Sequence, residues 1–136
     1  MSKAYDVVRT FEEGLCAYTG AKYAVTVNSC TMALLLAVKW HIKGPWMPGK
    51  KLPIEVEIPK RTYVSVPMSI IHAGGRPTFR DEEWRGAYQL KPLPVWDSAR
   101  SFRADMYRKD YPGMMICVSF HASKILGDTQ GGAILH

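Results

Sequence analysis

The stretch from Lys22 to Val38 constrains the fold more than any other part of the chain. Lys22-Tyr23-Ala24-Val25-Thr26-Val27 has strand composition, and after Asn28-Ser29-Cys30-Thr31 the residues from Met32 to Val38 are all apolar. Such a run directly after a short strand reads as a buried helix, so a sheet must be covered here by a helix. Strand, small polar turn and helix also make an anion-binding arrangement. The unpaired amides of the first helical turn, the Ser29 and Thr31 hydroxyls and the helix dipole converge on one point. Ser and Thr before a helix are also ordinary N-caps, and this segment taken alone favours the cap.

The rest of the chain repeats the alternation. Val7, Val8, Phe11, Leu15 and Tyr18 recur at helical spacing and Gly20 closes the pattern, which predicts an amphipathic first helix. Residues 43–53 are rich in Pro and Gly and read as a loop. Ile54–Pro59 alternates as a strand, Val64–Ala73 is expected to be helical despite Pro67, and Arg76–Arg80 is a further candidate strand. Asp81–Pro94 reads as irregular. Val95-Trp96-Asp97 is a strand ending in a carboxylate, Met114–Val118 an apolar strand, and Gly131–Leu135 a last strand. In open α/β sheets ligands collect at the carboxyl ends of strands, which sets Asp97 on the same edge as Ser29. Capping the next turn of chain is an equal reading for that aspartate.

Length and composition set the bounds. With 136 residues the chain suits one domain, and its net charge of +6 suits an anionic ligand, nucleic acid or simple solubility. Cys16, Cys30 and Cys117 have no close pairing, so neither a disulfide framework nor a zinc site is indicated, and His41, His72, His121 and His136 are too dispersed for a metal site. The charged N-terminus and the lack of any apolar run near about 20 residues lead to the expectation of a cytoplasmic protein with no membrane segment. Lys39, Lys43, Lys50, Lys51, Lys60 and Arg61 are scattered and accompany no nucleic-acid motif, which ranks nucleic-acid binding low.

The apolar strand ending at Val118 delivers Ser119 and then, five residues later, Lys124 into a glycine-rich turn that runs to Gly132. A lysine held in a partly desolvated loop can act as a neutral amine and condense with an aldehyde. By composition alone a solvated surface lysine is the commoner case.

Together, Phe11-Glu12-Glu13, Tyr18 to Val25, Asn28 to Leu34, Thr62-Tyr63, Asp97-Ser98-Ala99, Ser119 to Lys124 and Gly131-Gly132-Ala133 resemble the DegT-type sugar aminotransferases. These are fold-type I pyridoxal phosphate (PLP) enzymes, a family that includes aminohydroxybenzoate synthase. The resemblance implies a minimal version of their large domain: an α/β three-layer sandwich with a mostly parallel central sheet, spanning residues 1–136 as one unit. It also implies site roles. Lys124 matches the lysine that forms a Schiff base with PLP, Ser119 a hydroxyl on the cofactor phosphate, and Thr31 with the Met32 backbone the phosphate-binding helix start beside Ser29 and Cys30. Tyr63 matches the aromatic residue stacked on the pyridine ring, and Asp97 the carboxylate on the pyridinium nitrogen.

Departures from the family pattern are equally visible. Cys30 replaces a small residue at the helix start, either as an acidic thiol or as a buried filler. Arg100 stands where Gln or His usually lies beside the ring hydroxyl, and Gln130 where an acidic residue precedes the paired glycines. Ala87–Pro92 passes directly to Leu93–Asp97, as though one helix and strand had been excised, and the sheet is expected to close across the gap. The chain stops at His136, where family members continue into a small C-terminal domain. This economy suggests a viral origin, which would place the protein in a host cytoplasm.

Two functions are implied by the resemblance. One is a reduced aminotransferase that moves an amino group from an amino acid such as glutamate to a keto sugar, free or nucleotide-linked. The other is a non-catalytic PLP-binding or scaffold protein. Either is expected to form a homodimer or larger homo-oligomer, through surfaces that include Trp40, Trp46 and Trp84.

Overall fold

The computed structural model describes residues 3–44, 49–125 and 130–136. Trp46 and the Gly127-Asp128-Thr129 part of the glycine-rich turn lie outside the described residues. Helix α1 spans Asp6–Thr19 and ends where the sequence predicts, at Gly20 with φ 80°, whose N–H donates to the Cys16 carbonyl at 2.9 Å. That left-handed backbone is a glycine conformation. Strand β1 (Ala24–Val27) leads into helix α2 (Cys30–Lys43), and β2 (Glu55–Pro59), helix α3 (Ser65–His72) and β3 (Arg76–Arg80) come next. Then come β4 (Tyr88–Gln89), β5 (Val95–Asp97), the short helix α4 (Met106–Asp110), β6 (Met115–Ser119) and β7 (Gly132–Leu135).

The main sheet has the order β1-β7-β6-β5-β4, and β2 pairs with β3 in a separate two-stranded ladder. A bridge between Glu57 and Lys91 ties that ladder to the chain just beyond β4. The sheet is mixed, and not mostly parallel as expected. Within it β5/β6 runs parallel, whereas β1/β7, β6/β7 and β4/β5 are antiparallel; the separate β2/β3 ladder is parallel. Part of the reason is length: residues 90–94 join β4 to β5 and are too few for a crossover, so the chain can only turn back. β4 also corrects the reading of residues 81–94 as wholly irregular. With it, β5 has a hydrogen-bonded neighbour on each side.

Alternation along the central strands builds two cores. On β6, Cys117 faces the cluster containing Ala33, Leu34, Val38, Val66 and Ile70, while Ile116 and Val118 face the cluster containing Leu15, Met106 and Tyr107. β7 splits the same way, with Ile134 in the first cluster and Ala133 and Leu135 in the second. Helices α2 and α3 therefore cover one face and α1 and α4 the other, giving the three layers expected. Fully burying a side chain such as Leu34, 2% exposed, contributes roughly 2–3 kcal/mol.

Two expectations about apolar surface change. α1 forms, yet buries only Leu15 and Thr19, while Val7, Val8, Phe11 and Tyr18 remain exposed. Trp84 is half-buried, because its indole N–H donates to the Arg61 carbonyl at 2.8 Å and its ring meets Tyr88 edge-on at 4.7 Å. Trp40 is exposed as expected, at 58%.

Candidate cofactor site

A cleft of about 400 Å³ opens at the start of α2, between the ends of β5 and β6 and the start of α3. Its walls bring together Ser29, Cys30, Thr31, Tyr63, Asp97, Ser119 and Lys124, residues drawn from separate stretches of sequence. Each arrives there for a local reason. Ser29 is the N-cap of α2: its backbone is extended and its Oγ accepts the Met32 N–H at 3.1 Å. The cap reading is therefore correct, and it engages the Met32 amide. The amides of Cys30 and Thr31 precede any carbonyl a turn behind them, so the helix start retains donor capacity beside the cleft.

Glycine at position 132 makes this geometry possible. A Cβ there would lie 2.6 Å from both the Cys30 nitrogen and the Ser29 carbonyl carbon, and 2.8 Å from the Val118 oxygen. β7 thus packs backbone to backbone against the start of α2, with no room for a side chain between them.

Asp97 is 7% exposed at the end of β5. Its Oδ2 accepts the Tyr88 hydroxyl at 2.8 Å and its Oδ1 accepts the Ala99 N–H at 3.0 Å. Burial pushes its carboxyl pKa up, while the Ala99 and Tyr88 hydrogen bonds and the Lys124 charge pull it down. It serves both readings of the sequence, turning the chain at Ala99 and facing the cleft. Burial also raises the Cys30 thiol well above its usual range, as does the nearby Asp97 charge, which removes the acidic-thiol alternative and leaves the buried filler.

Lys124 is half-buried, and its backbone N–H donates to the His121 carbonyl at 2.8 Å. His121 shapes this turn: its Nδ1 accepts the Ser123 N–H at 3.1 Å and lies 2.8 Å from the Ser123 hydroxyl, which leaves the neutral ring's proton on Nε2. Ser119 is buried and its Oγ accepts the His121 N–H at 3.3 Å. Tyr63 lines the mouth and is 73% exposed. Arg100 is exposed and not among the residues lining the cleft, unlike its neighbour Ala99.

Two polar residues of the site were not read from the sequence. Ser65, the first residue of α3, accepts the Thr31 hydroxyl at 2.9 Å and lines the cleft. Only the polar start of an apolar helix could have signalled it. Tyr88, the donor to Asp97, sits in a segment with no periodicity.

The donor set suits PLP. A helix start with hydroxyls suits a phosphate, and a buried carboxylate suits a cationic ring nitrogen. Among the described residues lining the cleft, Lys124 is the only primary amine. Fold and cleft together define an open α/β fold with a helix N-terminus, a buried carboxylate and an amine gathered at one edge of its sheet.

The sequence pattern of the DegT/DnrJ/EryC1/StrS aminotransferase family matches residues 1–95, and the chain belongs to that family. It is 45% identical over 74 residues to the spore coat polysaccharide biosynthesis protein SpsC of Bacillus subtilis (strain 168), covering 54% of this chain and 17% of that protein. Its fold is similar to the crystal structure of a putative PLP-dependent aminotransferase from Bacillus cereus ATCC 10987, with TM-score 0.70 and 22% identity over 93% of this chain and 45% of that one. It is also similar to 3-amino-5-hydroxybenzoic acid synthase, with TM-score 0.68 and 21% identity over 96% of this chain and 42% of that one. The chain thus spans less than half the length of these relatives. The family match ends before Asp97, Ser119 and Lys124, so those three rest on the cleft geometry.

Proposed function

We propose that the cleft binds PLP, with Lys124 as the amine that forms the Schiff base, and that the protein transfers an amino group from an amino acid to a keto sugar. The observation that carries the reading is the meeting of Lys124, Asp97 and the α2 start in one cleft. Thr31, Ser119 and the first amides of α2 would hold the phosphate, Tyr63 would cover the ring, and Asp97 would accept a hydrogen bond from the ring nitrogen and keep it protonated. Bound PLP supplies an electron sink for the carbon that loses its proton. The Lys124 amine, which lines the same cleft as Asp97, would serve as the base that moves that proton. Membership of the family supports aminotransfer, and the polysaccharide-biosynthesis name of SpsC supports a sugar acceptor.

Titrating the purified chain with PLP and then with glutamate tests this. A visible absorbance band that glutamate bleaches is the expected result. A band that glutamate leaves intact would favour a non-catalytic PLP-binding protein, a reading for which the open cleft mouth at Tyr63 speaks. No band at all would overturn both.

We further propose a homodimer or larger assembly, supported by the exposed apolar residues of α1, with Val7 at 75% exposure. Light scattering at micromolar concentration should give at least twice the chain mass. A monomer would contradict it.

A further inference from the structure

We propose that Tyr88 is the positioning residue of this site: its hydroxyl relays a hydrogen bond from Thr62 to Asp97, setting the loop that carries Tyr63 and the carboxylate facing the cleft as one unit. The inference rests on the PLP reading above and deepens it. Register puts the two residues together, since Tyr88 stands directly opposite Asp97 in the β4/β5 ladder.

The direction of the relay is set by donor chemistry. An ionised carboxylate can only accept, so Tyr88 uses its single proton on Asp97 Oδ2. Its oxygen is then the acceptor for Thr62 Oγ1, with which it is in direct hydrogen-bond contact. Tyr88 is only 2% exposed and its ring is braced edge-on by Trp84, whose indole N–H holds the Arg61 carbonyl. Residues 61 and 62, immediately before Tyr63, are therefore both anchored to this aromatic pair.

A donor on Oδ2 favours the charged carboxylate and opposes the burial that drives a proton onto it. The titratable groups that act on Asp97 are Tyr88 and Lys124; the Cys30 and Cys117 thiols also face it, and burial, with the Asp97 charge, keeps Tyr88 and both thiols protonated. With Tyr88 in place, the carboxylate stays available to a cationic ring nitrogen, and the aromatic residue that would cover the ring keeps a fixed distance from it.

The test is a carbon-13 NMR titration of the Asp97 carboxyl in the cofactor-free chain, with Tyr88→Phe, Thr62→Val and Thr62→Ser beside the parent. Removing the Tyr88 hydroxyl should raise the Asp97 midpoint by about one pH unit, a tenfold shift in its protonation equilibrium. Thr62→Val should raise it less, and Thr62→Ser, which keeps the hydroxyl, should match the parent. In parallel, PLP affinity read from tryptophan fluorescence should fall several-fold in Tyr88→Phe. An unchanged Asp97 midpoint in Tyr88→Phe would overturn the proposal. If circular dichroism shows that variant to be unfolded, Thr62→Val decides, and an unchanged midpoint there overturns it. A parent that fails to bind PLP would sink the functional reading, while the titration still decides the role of Tyr88.

Discussion

Replacing Lys124 by alanine is expected to abolish the visible absorbance band that PLP forms with the parent chain, while far-ultraviolet circular dichroism stays unchanged. The loss should be complete. Lys124 is the only primary amine among the described residues lining the cleft, so no neighbour can take its place on the cofactor's carbonyl carbon. The fold should survive because Lys124 lies on a turn outside both apolar clusters and contributes a backbone hydrogen bond, to His121, that alanine can also make. Weak binding should persist, since the α2 start and Asp97 are untouched. A variant that keeps the band would show that another amine carries it.

Gly132→Ala should damage fold and site together. The added methyl meets backbone on every near side, at 2.6 Å from Cys30 N and Ser29 C and 2.8 Å from Val118 O. Real Cβ contacts do not come this close, and backbone cannot swing aside as a long side chain can, so β7 or the start of α2 must shift. Overpacking of this kind costs about 1–3 kcal/mol, and more where backbone must move. Because the shifted backbone is the helix start proposed to hold the cofactor phosphate, PLP affinity should fall by at least tenfold even where the variant still folds. Thermal melts and a PLP titration read the two effects separately, and parent-like values in both would contradict the packing described here.

The alternation of apolar strands and helices was legible because each element carries its own period or stop signal. Gly20 ends α1 and Ser29 caps α2 as the sequence implies. Ser29, Thr31, Asp97 and Ser119 were legible because they stand at strand ends and a helix start, Lys124 because it follows an apolar strand into a turn, and Tyr63 only through the family resemblance; the fold gathers all six into one cleft. The features that stayed hidden depend on partners distant in sequence. Tyr88 occupies a two-residue strand amid prolines, with no pattern to reveal it, and only its pairing with Asp97 gives it a role. The antiparallel turn of β4 onto β5 stayed hidden because the length of the connection across residues 90–94 decides it. The helical spacing of Val7, Val8 and Phe11 was real, but spacing cannot say whether a stripe meets a core or is left exposed.

The most direct test of the central claim is to mix the parent chain with PLP, reduce with borohydride and map the modified peptide by mass spectrometry. The cleft geometry predicts a single reduced adduct on Lys124. An adduct on any other lysine, or none, would contradict the assignment of this cleft as the cofactor site.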